Sequence, residues 1–245
     1  MRRLIFAAVA ALALSGLARS ASAQTRLPQE FSFQSPLGTY DKTDLQVGFA
    51  VYQANCASCH GLGLVHYRDL RHLGLAPQDI AAVLAKLNAE KSADPPGKAP
   101  LMARDTFRAP FPDDAAAAAK FHGAIPPDLS LIERGHKNGA DYIYSLLMGY
   151  RAAPPDVTML PGHYYNVAFP GLQTAMPPAL KPGSVTLADG KKPSVQQMAH
   201  DVAAFLAWTA NPTLDERKAV GLRIILFLIV LGIFGGLALR SGRRV

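Results

Sequence analysis

The chain has 245 residues and a formal net charge of +7, with 25 Lys and Arg against 18 Asp and Glu. Seven arginines in the terminal segments, three before residue 24 and four after residue 222, account for the whole excess. The central part is therefore close to neutral, and the charge argues against a nucleic-acid partner.

The first segment, residues 1–23, has the features of a secretory signal peptide. Two arginines precede an apolar stretch, and Ala21-Ser22-Ala23 forms a small-x-small cleavage site. An uncleaved membrane anchor is the alternative, although the apolar stretch is short for a bilayer span. We therefore predict that the mature chain begins at Gln24 and that its body is exported.

Residues 24–218 are predicted to form one domain that is mainly α-helical, with long loops rich in Pro and Gly. The first predicted helix follows an Asp41 cap and aligns four side chains on one face: Leu45, Phe49, Tyr52 and Cys56. Apolar periodicity predicts three more helices, over 77–90, over 140–150 and from Ser194 to Trp208. A short hairpin is predicted near 184–191.

The first helix ends in Cys56-Ala57-Ser58-Cys59-His60, which matches the Cys-x-x-Cys-His attachment motif of c-type haem. Residues three apart share one helix face, so Cys56 and Cys59 can both reach one porphyrin edge. His60 then supplies an axial nitrogen to the iron. The motif occurs once, and we expect one covalent haem c.

Three other readings of this motif compete with haem. A structural zinc site needs four ligands, and with only two cysteines it would require two distant histidines. A thioredoxin-like redox pair expects a βαβ context, whereas these surroundings are helical. A plain disulfide would leave His60 without a role.

The second axial ligand is open on the residues alone. The candidates are Met102, Met148, Met159, Met176, Met198 and the six other histidines. Met148 and Met198 lie in helical patterns, where Met is commonly core filler. Met176 lies in Ala175-Met176-Pro177-Pro178, where the prolines restrict the backbone and can hold a thioether in place.

Residues 219–239 are predicted to form one transmembrane helix, because they are apolar apart from Arg223 and long enough to cross a bilayer. Three arginines in the tail 240–245 indicate a cytoplasmic end. This orientation places the body on the periplasmic side of a bacterial inner membrane, with the helix in membrane lipid.

Several blocks in order resemble the cytochrome c1 family, the haem subunits of the cytochrome bc1 complex. They begin with Cys56 to His60 and Tyr67-Arg68-Asp69-Leu70, and continue with Gly123 to Ser130, which contains Pro126-Pro127-Asp128-Leu129-Ser130. Further along come Asp141 to Tyr150, Phe169-Pro170-Gly171 ahead of Met176, and Asp201 to Trp208 before a single membrane helix. The resemblance covers nearly the whole mature chain.

The resemblance implies a cytochrome c-like haem domain in which Cys56 and Cys59 hold haem, and His60 and Met176 are its axial ligands. It implies that Pro126 and Pro127 pack on the haem and that a backbone carbonyl there accepts the free ring N–H of His60. The chain departs from the family pattern at two positions. It has His122 where the family often has Asn, and it has Lys120 shortly before Gly123, where the family often has an arginine.

The resemblance also implies a function in electron transfer, as one subunit of a quinol–cytochrome c oxidoreductase and without a substrate-converting site of its own. The implied partners are cytochrome b, a Rieske iron–sulfur subunit and a soluble or membrane-bound cytochrome c, in a dimer of the whole complex. The alternatives are a membrane-anchored mono-haem subunit of another respiratory complex, or a haem enzyme or gas sensor with an open sixth site.

Overall fold

The structure is a computed structural model that describes residues 25–90, 99–187 and 189–242. The predicted signal segment and the last three residues of the tail lie outside this range. The described α-helices are α1 (Lys42–Val51), α2 (Pro77–Glu90), α3 (Asp114–Lys120), α4 (Gly139–Met148), α5 (Val195–Ala210) and α6 (Leu214–Gly242). The predicted mainly helical fold class is confirmed.

Helix α1 begins at the predicted cap and leads directly to the haem motif. The Asp41 carboxylate accepts hydrogen bonds from the backbone N–H groups of Thr43 at 2.7 Å and Asp44 at 3.3 Å. The chain then widens into a π-helical turn, Tyr52–Cys56. Such turns are rare in proteins, but where they occur they are often part of a functional site. Here Cys56 is the last residue of the π-helical turn.

Helices α1 and α5 cross at Gly48, where the two backbones come unusually close. A Cβ atom on Gly48 would lie 2.1 Å from the Asp201 carbonyl oxygen and 2.7 Å from Phe205 Cβ. Only glycine allows this approach. The ring centroids of Phe49 and Tyr52 lie 5.7 and 5.8 Å from that of Phe205, so an aromatic part of the core lies at this crossing.

Helix α5 is the central element of the core. It begins at the predicted cap, where Ser194 Oγ accepts from Gln197 N at 3.1 Å. It is buried on nearly all sides from Met198 to Ala210, as expected of a helix enclosed by other elements. Helices α1 and α4 both pack against it.

The predicted hairpin near 184–191 is wrong. The described residues of that segment form a turn in which Leu187 N donates to Lys191 O at 2.9 Å, without strand pairing. The paired strands lie earlier: β1 (Tyr164–Tyr165) and β2 (Gln173–Thr174) are antiparallel, with Tyr164 opposite Thr174. This hairpin leads directly into the Met176 loop.

Helix α6 is 29 residues long and contains the predicted span 219–239. It is about 44 Å in length, enough to cross a hydrocarbon core of about 30 Å. Its large apolar side chains are exposed from Val220 to Leu239, whereas Leu214 packs against the core. Within the described residues it is the one helix that is long and apolar enough to span a membrane.

Candidate haem site

The two cysteines of the motif lie on one tight turn at the end of the π-helical segment. The Cys56 carbonyl oxygen accepts from Cys59 N at 3.0 Å and from His60 N at 2.9 Å. Both thiols are free, with Cys56 buried and Cys59 partly exposed. Burial raises the pKa of the Cys56 thiol to about 12. A thioredoxin-like pair expects a βαβ context, whereas Cys56 ends a helical segment here, and this argues against the thioredoxin-like reading.

The His60 ring is held by the backbone of Pro127. His60 Nδ1 lies 2.8 Å from the Pro127 carbonyl oxygen, the contact that the resemblance implied. With the Nδ1 proton donated there, Nε2 keeps its lone pair for a metal. Burial lowers the pKa of His60, opposed by the Pro127 bond, and this favours the neutral ring that binds iron.

The His60 main chain is fixed as well. Tyr52, which is 2% exposed and lies two turns earlier, donates from its hydroxyl to the His60 carbonyl oxygen at 2.9 Å. The ring and the backbone of the predicted axial ligand therefore each have a specific partner. Such outer contacts orient a ligand before the metal group arrives.

Asp128 and Ser130 join the Pro126-Pro127 segment to the residues that follow His60. The Asp128 carboxylate accepts from Gly63 N at 2.7 Å through Oδ2 and from Ser130 N at 2.8 Å through Oδ1. Ser130 Oγ accepts from Leu64 N at 3.1 Å. Sequence reasoning assigned these two residues no role, although Asp and Ser after prolines are typical backbone-binding residues of turns.

The Met176 loop is anchored through both backbone polar groups of Met176, its N–H and its carbonyl oxygen. Met176 N donates to Thr174 Oγ1 at 3.1 Å, and Tyr150 Oη donates to the Met176 carbonyl oxygen at 2.9 Å. Thr174 is buried, whereas the Met176 side chain is partly exposed. No direct contact between Met176 and His60 is described, and the ligand role of Met176 stays a prediction.

The other candidate ligands are placed differently. Met198 is fully buried in α5 and accepts from Ser184 Oγ at 3.5 Å, and Met102 is 48% exposed. Met148 packs against the core, while Met159 lies partly exposed in a loop. His66 contacts Asp69, at 3.4 Å from its carboxylate. These environments leave Met176 and Met159 as the half-buried loop methionines.

The donor set fits a c-type haem. Two thiols and a neutral imidazole lie within five consecutive residues, and the imidazole is oriented by a backbone acceptor. Covalent attachment would use the two thiols, and the iron would use the free imidazole nitrogen. A second ligand from the anchored loop would complete six-coordinate iron.

The comparisons agree with this chemistry. Residues 31–243 match the Cytochrome C1 family. Cytochrome c1 of Rhodospirillum rubrum is 37% identical over 251 residues, covering 94% of this chain and 92% of that protein. The mitochondrial cytochrome c1-2 heme protein of Solanum tuberosum is 40% identical over 195 residues, covering 78% of this chain and 75% of that protein.

A third relative connects the chain to cytochrome b. Cytochrome b/c1 of Bradyrhizobium diazoefficiens is 36% identical over 241 residues, covering 88% of this chain and 35% of that longer protein. The chain therefore belongs to the cytochrome c1 family, as the haem c electron-transfer subunit of a bc1 complex.

Proposed function

We propose that this chain takes single electrons from a Rieske iron–sulfur protein and passes them to a soluble or membrane-bound cytochrome c. The haem supplies the one-electron chemistry when it is bound. Cys56 and Cys59 hold it covalently, and His60 and Met176 bind its iron. The observation that carries this proposal is the 2.8 Å contact between His60 Nδ1 and Pro127 O, because it prepares a neutral, oriented imidazole.

Two protein ligands make the site an electron carrier. When both axial positions are occupied, small molecules are excluded from the iron and the coordination changes little between redox states. The bonds from Thr174 and Tyr150 to the Met176 backbone support a fixed second ligand. Pro126 and Pro127 are proposed to pack on the haem face near His60. No substrate-converting site is assigned to this chain.

The proposed location is the periplasmic side of a bacterial inner membrane. Signal residues 1–23 direct export, residues 24–218 form the haem domain, and the span 219–239 lies in membrane lipid. Arg240 lies in the last turn of α6, and by the positive-inside rule Arg240, Arg243 and Arg244 support a cytoplasmic location for the tail 240–245. Cytochrome b and the Rieske subunit are the proposed neighbours, in a dimer of the complex.

A redox titration of the haem-loaded protein tests the ligand assignment. Met176→Leu should lower the reduction potential and let carbon monoxide bind the reduced iron, because a thioether ligand raises the potential and blocks the sixth position. Met159→Leu is the matched control, a loop methionine of similar exposure, and should change neither property. Carbon monoxide binding by the unaltered protein would instead favour the gas sensor or haem enzyme.

Copurification tests the proposed partners. An affinity tag on the C-terminal tail should recover a cytochrome b and an iron–sulfur protein from detergent-solubilised membranes. Recovery of a terminal oxidase without these two proteins would assign the chain to another respiratory complex.

A further inference from the structure

The N-terminal end of α6 is bound to the loop that precedes α1. Lys218 Nζ donates to three backbone carbonyl oxygens, at 2.7 Å to Phe33, 2.7 Å to Ser35 and 2.8 Å to Gly38. An ammonium group has three N–H donors, so these carbonyls satisfy all of them. We call residues 33–38 the carbonyl loop.

The carbonyl loop is shaped for a cation by its own backbone. Gly38 N donates to Ser35 O at 3.0 Å, and a Cβ on Gly38 would lie 1.9 Å from Ser32 O. The turn therefore closes tightly and points three carbonyl dipoles at one place. Converging dipoles repel one another unless a positive group lies between them.

The carbonyl loop is also fixed to the haem domain. Phe31, Phe33 and Tyr40 are each at most 8% exposed, and their rings pack in series with centroids 5.3 and 4.7 Å apart. Phe31 also stacks on His200 of α5, and Tyr40 Oη donates to Ala207 O of the same helix at 3.0 Å. The loop is therefore fastened to the core around α5 by Phe33 and by its two flanking residues, Phe31 and Tyr40.

A second bond reaches the same end of α6. Tyr40 N donates to Asp215 Oδ1 at 3.1 Å. Asp215 and Lys218 are three residues apart and so lie on one face of α6. Two side chains of opposite charge therefore fasten this face to the segment 33–40.

We call the contacts of Asp215 and Lys218 with the segment 33–40 the joint. The joint lies just before the start of the predicted membrane span. Helix α5 ends at Ala210 and α6 begins at Leu214, so three residues connect the haem domain to α6. Exposed apolar side chains begin at Val220, two residues after Lys218. A three-residue linker alone leaves a long helix free to pivot, and Lys218 binds the core at the level where the span begins.

We propose that Lys218 is a positioning residue that fixes the direction of the membrane span relative to the haem domain. It thereby holds the haem at one height and angle above the bilayer, where donor and acceptor must both reach it. The inference rests on the proposed role of α6 as the anchor.

The test uses the haem-loaded full chain in phospholipid nanodiscs. Both native cysteines hold haem, so spin labels can be placed at Gln78→Cys on exposed α2 and Ile229→Cys within the span. Pulsed electron resonance then gives the distance distribution between them. We expect Lys218→Met, which keeps length but removes the donors, to broaden this distribution at least twofold. Exposed Lys181→Met is the control and should leave it unchanged.

The outcomes separate the joint from the anchor. An unchanged width in Lys218→Met, with label 229 protected from an aqueous quencher, overturns the joint and leaves the anchor intact. A quencher-accessible label in the unaltered chain contradicts the anchor and the joint together. If Lys218→Met does not accumulate with haem, Asp215→Asn should still broaden the distribution, and an unchanged width there counts against the proposal.

Discussion

Replacing Asp128 by Ala removes one carboxylate that ties two chain segments together beside His60. Its two oxygens accept from Gly63 N and Ser130 N, so the substitution leaves both N–H groups without their acceptor. Pro127, whose carbonyl holds the His60 ring, is the preceding residue. The substitution should therefore affect both the stability of the domain and the orientation of the His60 imidazole, the predicted axial ligand.

The expected loss of stability follows from the exposure of the two donors. Ser130 is 1% exposed, and its N–H would be buried without a partner, at a cost of about 1–3 kcal/mol. Gly63 is exposed, so its N–H regains water and the loss is about 0.5–1 kcal/mol. Together, Asp128→Ala should lower the free energy of unfolding by about 1.5–4 kcal/mol.

The variant Asp128→Asn separates the effect of the Asp128 charge on the reduction potential from its effect on stability. This variant keeps a side-chain acceptor but removes a negative charge that raises the pKa of His60. A nearby negative charge favours the oxidised haem, which carries one more positive charge than the reduced form. Asp128→Asn should therefore raise the reduction potential while costing less stability than Asp128→Ala.

Urea unfolding of the haem-loaded protein, followed by Soret absorbance, measures the stability change. Ser130→Ala is the control within the same block. It removes the acceptor of Leu64 N and should cost about 1 kcal/mol. An Asp128→Ala variant within 0.5 kcal/mol of the unaltered protein would refute the role assigned to this carboxylate.

Three further predictions concern the domain around the site. Gly48→Ala should lower the free energy of unfolding, measured by chemical denaturation, by about 2–3 kcal/mol, because its Cβ would lie 2.1 Å from the Asp201 carbonyl oxygen. Gly135→Ala is the control and should leave this free energy unchanged, because its Cβ would lie 3.5 Å from the nearest atom. His122→Asn should raise the melting temperature slightly, because φ is 52° and Asn tolerates this left-handed backbone better, by roughly 0.5 kcal/mol. The hydrogen bond to Asp201 raises the pKa of His200 above its ordinary 6.5, so its stabilisation should be full below pH 6.5 and disappear as pH rises through the folded pKa; His200→Gln should remove this pH dependence of unfolding.

Helices with a cap and an apolar stripe could be predicted from the sequence. Asp41 and Ser194 are caps in the structure, and α2 has the predicted bounds, because these signals act within one or two turns. Helix α4, predicted over 140–150, ends at Met148, two residues earlier than predicted, and Gly149 follows it. Helix α3 was not predicted, because its alanines have no alternation of polar and apolar faces.

The site was less predictable than the helices. Cys56 to His60 is a local motif, and its spacing alone indicates haem. The bonds that orient it are long-range: Asp128 reaches Gly63 across 65 positions, and Pro127 reaches His60 across 67. Such pairs leave no periodic pattern in one sequence, and the contact with Pro127 was expected from the family resemblance alone.

Long loops lack the regular backbone hydrogen bonds of helices and strands. They can still hold a cofactor in place when side chains bind their backbone N–H and carbonyl groups. At His60, a tyrosine hydroxyl binds the ligand's carbonyl oxygen and the Asp128 turn supports the ring acceptor. At Met176, another tyrosine hydroxyl binds the carbonyl oxygen and a threonine hydroxyl accepts the N–H. The two loops share this device but use different partners, Tyr52 and Tyr150. Each of the two predicted ligand loops therefore has its own backbone contacts, and we expect both loops to be in place before haem binds.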